Sequence, residues 1–186
     1  MSSQEHSQLR KHLKFSLSHK WRALIQKKRL GFLGKKVWID KRVEFMRFPK
    51  KISIDAEVVV KEGARICACN REANISIGKR TTVGYHTFIF ASSRIEIGND
   101  CLIAPFVYIV DSNHSIVKNK RINQQRNSSE KIVIKDDVWL GSNVTILKGV
   151  TIGEGAVIAA GSLVNKDIEP YSINAGSPSK VIGYRE

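Results

Sequence analysis

Two histidines stand in the repetitive part of this 186-residue chain, His86 and His114. An imidazole exchanges a proton readily near neutral pH, so each is a candidate general base. His114 sits where a regular pattern gives way to an excursion through about residues 115–131, which carries Lys118, Lys120, Arg121, Gln124, Gln125 and Arg126. Counting along the repeat from Ile109 points Asn113 inward and His114 outward, onto a rigid strand beside a polar loop. That placement suits proton abstraction from a bound hydroxyl, although an ordinary surface histidine fits the same description. Asp111, three residues earlier, is a candidate to orient or charge-stabilise the imidazole. His86 falls in a turn, where a surface role is the simpler reading. The three cysteines, Cys67, Cys69 and Cys101, are too few for a disulfide framework, and Cys67-Ala-Cys69 lacks a second ligand pair for zinc. No metal is expected, and a reduced cytosolic compartment fits.

The element that must position these groups announces itself by a period of six. Ile52-Ser-Ile54, Ile75-Ser-Ile77, Ile95-Glu-Ile97 and Ile132-Val-Ile134 each open a run in which an aliphatic residue recurs every sixth position. The cleanest run is Ile134, Leu140, Ile146, Ile152, Ile158 and Val164. A small or short residue sits four places after most of these, as at Thr81, Cys101, Val138, Val144 and Ser162, and glycine or alanine often follows directly. Neither an ordinary helix nor a hairpin meander has this period; a hexapeptide-repeat β-helix does. Three hexapeptides make one triangular coil, and coils stack about 4.8 Å apart. The pattern predicts an all-β fold of about five coils, starting at residues 54, 77, 97, 134 and 152, with the excursion after the third. Each coil buries its core only against its neighbours, so residues 52–186 are expected to form one domain.

The formal charge of +14 looks like a nucleic-acid signal until it is located. Residues 1–51 hold 15 Lys/Arg against 3 Asp/Glu, whereas residues 52–186 hold 16 against 14. The basic character therefore belongs to an N-terminal segment, 1–51, and no nucleic-acid motif accompanies it. In that segment Leu9, Leu13, Leu17, Trp21, Leu24 and Ile25 fall at helical spacing among Arg10, Lys11, Lys14, Lys20, Arg22, Lys27 and Lys28. Such an amphipathic helix packs on its own β-helix, packs on a sister subunit, or lies on an anionic membrane surface. There is no apolar h-region and no run long enough to span a bilayer.

Residues 52–183 resemble the hexapeptide-repeat acyltransferases, in the branch of galactoside, maltose and polysaccharide O-acetyltransferases and xenobiotic acetyltransferases. The resemblance rests on an ordered run of blocks: Asp111-Ser-Asn-His114, Val138-Trp-Leu-Gly-Ser142, Gly149-Val-Thr-Ile-Gly153, Ala160-Gly-Ser-Leu-Val164 with Lys166-Asp167, and Ala175-Gly-Ser-Pro-Ser-Lys180. It implies a left-handed helix and a threefold trimer with active sites between neighbours. In the family the histidine before the excursion is the catalytic base, and His114 matches that position. It would draw the acceptor proton during direct acetyl transfer from acetyl-CoA, with the Ser142 backbone N–H as oxyanion donor. The co-substrate contacts implied are Gly141, Ser142, Ala159, Ala160 and Gly161 for pantetheine, Lys166 and Lys180 for the phosphates, and Pro178 near the adenine. Trp139 either shapes the site wall or packs at a subunit contact. Acceptor determinants are expected in residues 84–94 and 111–131, with His86, Asn113 and Gln124 as candidate contacts. A γ-class carbonic anhydrase would need three zinc-binding histidines, and a serine acetyltransferase a much longer helical N-terminal domain. The leading expectation is O-acetylation of a cell-envelope sugar in the cytoplasm or at the inner membrane face; the runner-up is N-acetylation of a nucleotide-linked amino sugar.

Overall fold

In a computed structural model describing residues 13–186, the six-residue period becomes three flat faces of parallel strands. The first face stacks Phe32–Leu33, Ile52–Ile54, Asn74–Ile77, Arg94–Ile97, Ile132–Ile134 and Thr151–Ile152. The second runs from Trp38–Ile39 through Val59–Val60, Thr82–Val83, Leu102–Ile103 and Trp139–Leu140 to Val157–Ile158. It continues into Ser172–Ala175, which the antiparallel strand Lys180–Tyr184 closes. The third stacks Glu44–Arg47, Arg65–Ala68, Phe88–Ala91, Tyr108–Val110, Thr145–Ile146 and Leu163–Val164. The architecture is a left-handed parallel β-helix.

Six coils are present where the Ile-x-Ile openings predicted five. The additional coil is the first, Phe32–Arg47, within the segment read from sequence as a basic appendage. Leu33, Ile39 and Phe45 also fall six apart, but no Ile-x-Ile pair announces them. Their strands pair in register with the next coil, Leu33 opposite Ile54, Ile39 opposite Val60 and Phe45 opposite Ile66.

One apolar column fills the prism. The periodic residues from Ile39 to Val164 are buried together with the small residues between them, including Cys101. Burial at roughly 25 cal/mol per Å² of apolar surface is the force that holds coil on coil. Repetition leaves open edges only at the two ends, and both are covered. At the C-terminal end the Ser172–Tyr184 hairpin does so. At the other, helix α1, Leu17–Arg29, lies against the first coil. Ser16 and His19 form its capping box, and Leu30 behind it is buried. Carbonyls on the first coil's exposed edge are met from this helix: Arg22 Nε donates to Ile39 O at 2.8 Å, and Arg29 to Phe45 O at 3.3 Å. Leu9, Arg10 and Lys11 of the sequence-derived stripe lie outside the described residues. The part inside them faces solvent in this chain, with Leu17 83% and Trp21 65% exposed.

Candidate functional site

The chain leaves the prism at Asp111 and returns at Glu130, whose N–H donates to Asp111 O at 2.9 Å. Between them a two-stranded antiparallel ribbon forms, with Ser112 opposite Ser129, Asn113 opposite Ser128 and His114 opposite Asn127. The Ser115 N–H to Arg126 O bond continues it at 3.2 Å. The rest of the excursion is held by Gln125, whose side chain bonds Val117 and Lys120. The hexapeptide count therefore ends at Asp111. That residue is fully buried, while Asn113 is exposed rather than inward, because the ribbon has already turned away from the core.

Asp111 spends its carboxylate on the preceding coil. Oδ1 accepts from the Ser92 N–H at 2.6 Å and Oδ2 from the Ser93 N–H at 2.7 Å. It fixes the corner beside the ribbon and hence the base of the strand that carries His114. No hydrogen bond or ion pair joins Asp111 to the His114 ring.

His114 borders a cavity of about 760 Å³ on the outer surface of the third face. Such a volume is that of a small-molecule site. Its floor comes from outward residues that the coil register stacks in a row: Met46 beside Cys67, Cys67 beside Phe90, and Phe90 beside Val110. Tyr108 and Phe90 meet edge to face, with ring centroids 6.1 Å apart. Polar groups ring this apolar floor: Asn70, Ser92, Ser112, Asn127 and Ser129, with Arg47 and Arg126 at the edge. Aromatic surface beside hydroxyl and amide groups can receive a small polar ligand with an apolar face.

Two cysteines also line the cavity, with Sγ atoms 3.6 Å apart. Burial, then hydrogen bonding with Cys69, pushes the Cys67 thiol up to about 12, so it is protonated at neutral pH. Cys101 points into the core as expected, and burial pushes its thiol up to about 11. Neither is a ready nucleophile.

Gln124 and His86 do not border this cavity. Gln124 ends a short 3-10 turn on the exposed excursion, and His86 occupies a corner between the second and third faces. There the His86 ring stacks on Phe106 with centroids 5.4 Å apart, and it covers Gly63, whose absent side chain makes the space.

The residues implied for the co-substrate gather on the last two coils. Gly141, Ser142 and Asn143 form one second-to-third-face corner, and Ala159–Gly161 the next, tied by Gly161 N–H to Ser142 O at 2.8 Å. A side chain at Gly141 would meet Ala160 N at 2.5 Å, so only glycine lets these corners stack. The backbone N–H groups of Ser142 and Ala160 have no acceptor among the described residues. Two free amides on adjoining corners suit a pantetheine chain, and in this respect the residues fit the co-substrate. Trp139 projects beside them from the second face, 53% exposed. Lys166 is exposed on the loop after the last coil, Pro178 lies in the turn of the closing hairpin and Lys180 opens its second strand. None of these residues borders the His114 cavity, whose lining comes from coils one to four and the excursion.

Five comparisons bear on this arrangement. The bacterial transferase hexapeptide (six repeats) family matches residues 131–166. The galactoside O-acetyltransferase of Escherichia coli K12 is 40% identical over 110 residues, covering 59% of this chain and 54% of that protein. The chain thus spans about half the length of that curated relative. WbbJ of the same strain, which bears the name lipopolysaccharide biosynthesis O-acetyl transferase, is 34% identical over 151 residues, covering 74% of this chain and 76% of that one. A hexapeptide-repeat acetyltransferase of Vibrio cholerae, crystallised with acetyl coenzyme A, superposes with a TM-score of 0.69 at 28% identity, covering 92% of this chain and 80% of that one. The N-acyltransferase AntD of Bacillus cereus, 21% identical, shares the fold with a TM-score of 0.77 over 89% of this chain and 88% of its own. Repeat, coil architecture and the extended match to WbbJ agree: the chain belongs to the hexapeptide-repeat transferase family.

Proposed function

We propose that this protein is an acetyl-CoA-dependent O-acetyltransferase acting on a saccharide hydroxyl, in surface polysaccharide or lipopolysaccharide assembly. The observation that carries the reading is His114, fixed on a stiff ribbon at the rim of an aromatic-floored, polar-rimmed cavity. Bound acetyl-CoA supplies an activated acetyl thioester. Asn70, Ser92 and Ser112 hold the acceptor's hydroxyls over Phe90 and Tyr108; His114 takes the proton from the hydroxyl whose oxygen bonds to the acetyl carbonyl carbon, and returns it to the coenzyme A sulfur as the C–S bond breaks. The free N–H of Ser142 offers its hydrogen to the oxygen on which negative charge develops. No thiol takes part, in keeping with the protonated, buried Cys67.

The acceptor cavity and the corner carrying Ser142 do not share a lining within one chain. A threefold assembly, in which one subunit's corner faces its neighbour's cavity, accounts for this separation. Among the described residues no helix is long and apolar enough to cross a membrane. Helix α1 nevertheless shows an exposed stripe of Leu17, Trp21, Leu24 and Ile25 beside Lys14, Lys20, Lys27 and Lys28, which supports a resting place on an anionic membrane surface.

The test is thiol release from acetyl-CoA over a panel of sugars, amino sugars and nucleotide-linked sugars, run beside His114→Ala. Turnover on a hydroxyl-only sugar, falling by about two to four orders of magnitude in the variant, is the expected result. Turnover confined to a nucleotide-linked amino sugar would replace O-transfer by N-transfer, and near-normal turnover in the variant would remove His114 as the base.

A further inference from the structure

The cavity beside His114 contains two guanidinium groups and no carboxylate. Arg47 ends the third-face strand of the first coil; Arg126 sits in the excursion, next to the residue paired with His114. Five other arginines have acidic partners, Arg42 with Glu62, Arg65 with Glu44, Arg80 with Asp100, Arg94 with Glu96 and Arg185 with Asp137, whereas Arg71 has none among the described residues. Arg47 has only a long bond to Cys69 O, at 3.4 Å, and the Arg126 side chain has no partner among the described residues. Lys118, Lys120 and Arg121 on the same excursion add to a field of one sign.

A neutral sugar does not need this. Its hydroxyls are served by Asn70, Ser92, Ser112 and Ser129, and nothing in the cavity lining balances the charge of Arg47 and Arg126. We propose that Arg47 and Arg126 form an anion subsite, and that the acceptor is a saccharide bearing a phosphoryl group. Two guanidinium charges match the roughly −1.5 to −2 of a phosphate monoester, where a uronic acid's single charge would leave one cation uncompensated. The planar fork of arginine also fits phosphate oxygens. This inference rests on reading the cavity as the acceptor site. The phosphoryl group belongs either to a sugar phosphate or to a nucleotide-linked sugar, and both would meet the arginines in the same way.

The full chain, saturated with acetyl-CoA, would be assayed with a neutral hexose, its phosphate, the matching uronate and the matching nucleoside diphosphate hexose. Arg47→Gln and Arg126→Gln are each expected to raise KM for phosphoryl acceptors by about 10- to 100-fold, with KM for acetyl-CoA and for the neutral hexose changing less than about twofold. Whichever phosphoryl acceptor has the higher kcat/KM identifies the source. A preference for the neutral hexose, an equal arginine dependence with the uronate, or a uniform loss on all acceptors would overturn the proposal. Calorimetric binding of hexose phosphate to the wild type and both variants separates this idea from the enzymatic one. Arginine-dependent binding without transfer to any acceptor would leave the subsite standing and remove acetyl transfer. Transfer without arginine dependence would do the reverse.

Discussion

Replacing Asp111 by alanine separates an anchoring role from a direct catalytic one. The carboxylate is fully buried and accepts the Ser92 and Ser93 N–H groups at 2.6 and 2.7 Å. A hydrogen bond to a charged group contributes about 1.5–3 kcal/mol, and truncation leaves two half-buried donors without their acceptor. The expected cost is therefore about 3–5 kcal/mol, less whatever water recovers by entering the gap. In a domain of this size each kcal/mol moves Tm by about 2–4 °C, so Tm should fall by about 10 °C. Asp111→Asn retains one acceptor oxygen and should lose about half as much. Thermal unfolding followed by circular dichroism reads this directly, and acetyl-transfer kinetics on the same samples, well below the transition, read the effect on His114. Anchoring predicts that the stability order wild type, Asn, Ala is repeated in activity, with a modest fall in kcat. An unchanged Tm combined with a hundredfold loss of kcat would refute the argument and return Asp111 to the imidazole.

Three further outcomes are expected. Since the Cys67 thiol is pushed up to about 12, alkylation of Cys67 by iodoacetamide should be very slow at neutral pH and accelerate only in strong alkali; mass spectrometry of the labelled peptide checks it. Gly141→Ala places a methyl group 2.5 Å from Ala160 N, so it should cost about 1–3 kcal/mol by overpacking and weaken acetyl-CoA binding, measured by denaturant unfolding and calorimetry. Leu17→Glu with Trp21→Glu should abolish sedimentation with anionic vesicles while leaving the mass of the assembly unchanged. A change of assembly mass would instead make the stripe a subunit contact.

The period of six carried most of the fold into view because inward residues of a solenoid have little choice of type. Where the chain repeats without its Ile-x-Ile opening, as at Leu33, Ile39 and Phe45, the same geometry is harder to see. His114 stood out by its position before the excursion, but the direction of Asn113 did not, since counting by six assumes a coil that the ribbon has ended. The cavity floor was legible in principle. Met46, Cys67, Phe90 and Val110 are outward residues about one coil apart, yet their meeting depends on a register that insertions of unequal length obscure. The burial of Asp111 was beyond reach from sequence, because its partners are backbone N–H groups, which every residue but proline has.

The neck between Asp111 and Glu130 bears on how such a protein can change. Ile95 pairs with Ile132 in the same register as Ile75 pairs with Ile95, although many more residues intervene in the first case. For the stacked coils the excursion has no length: its two ends meet in a single hydrogen bond, and the core takes no account of what hangs between them. Closing a loop twice as long costs only about 0.6 kcal/mol more. The segment is thus a cassette, open to lengthening, trimming or wholesale replacement by recombination at one neck. Because His114 stands on its first strand and Arg126 just before its second, a wholesale exchange must bring its own histidine, whereas changes confined to the chain beyond His114 would renew Arg126 and its surroundings and leave His114 where it is.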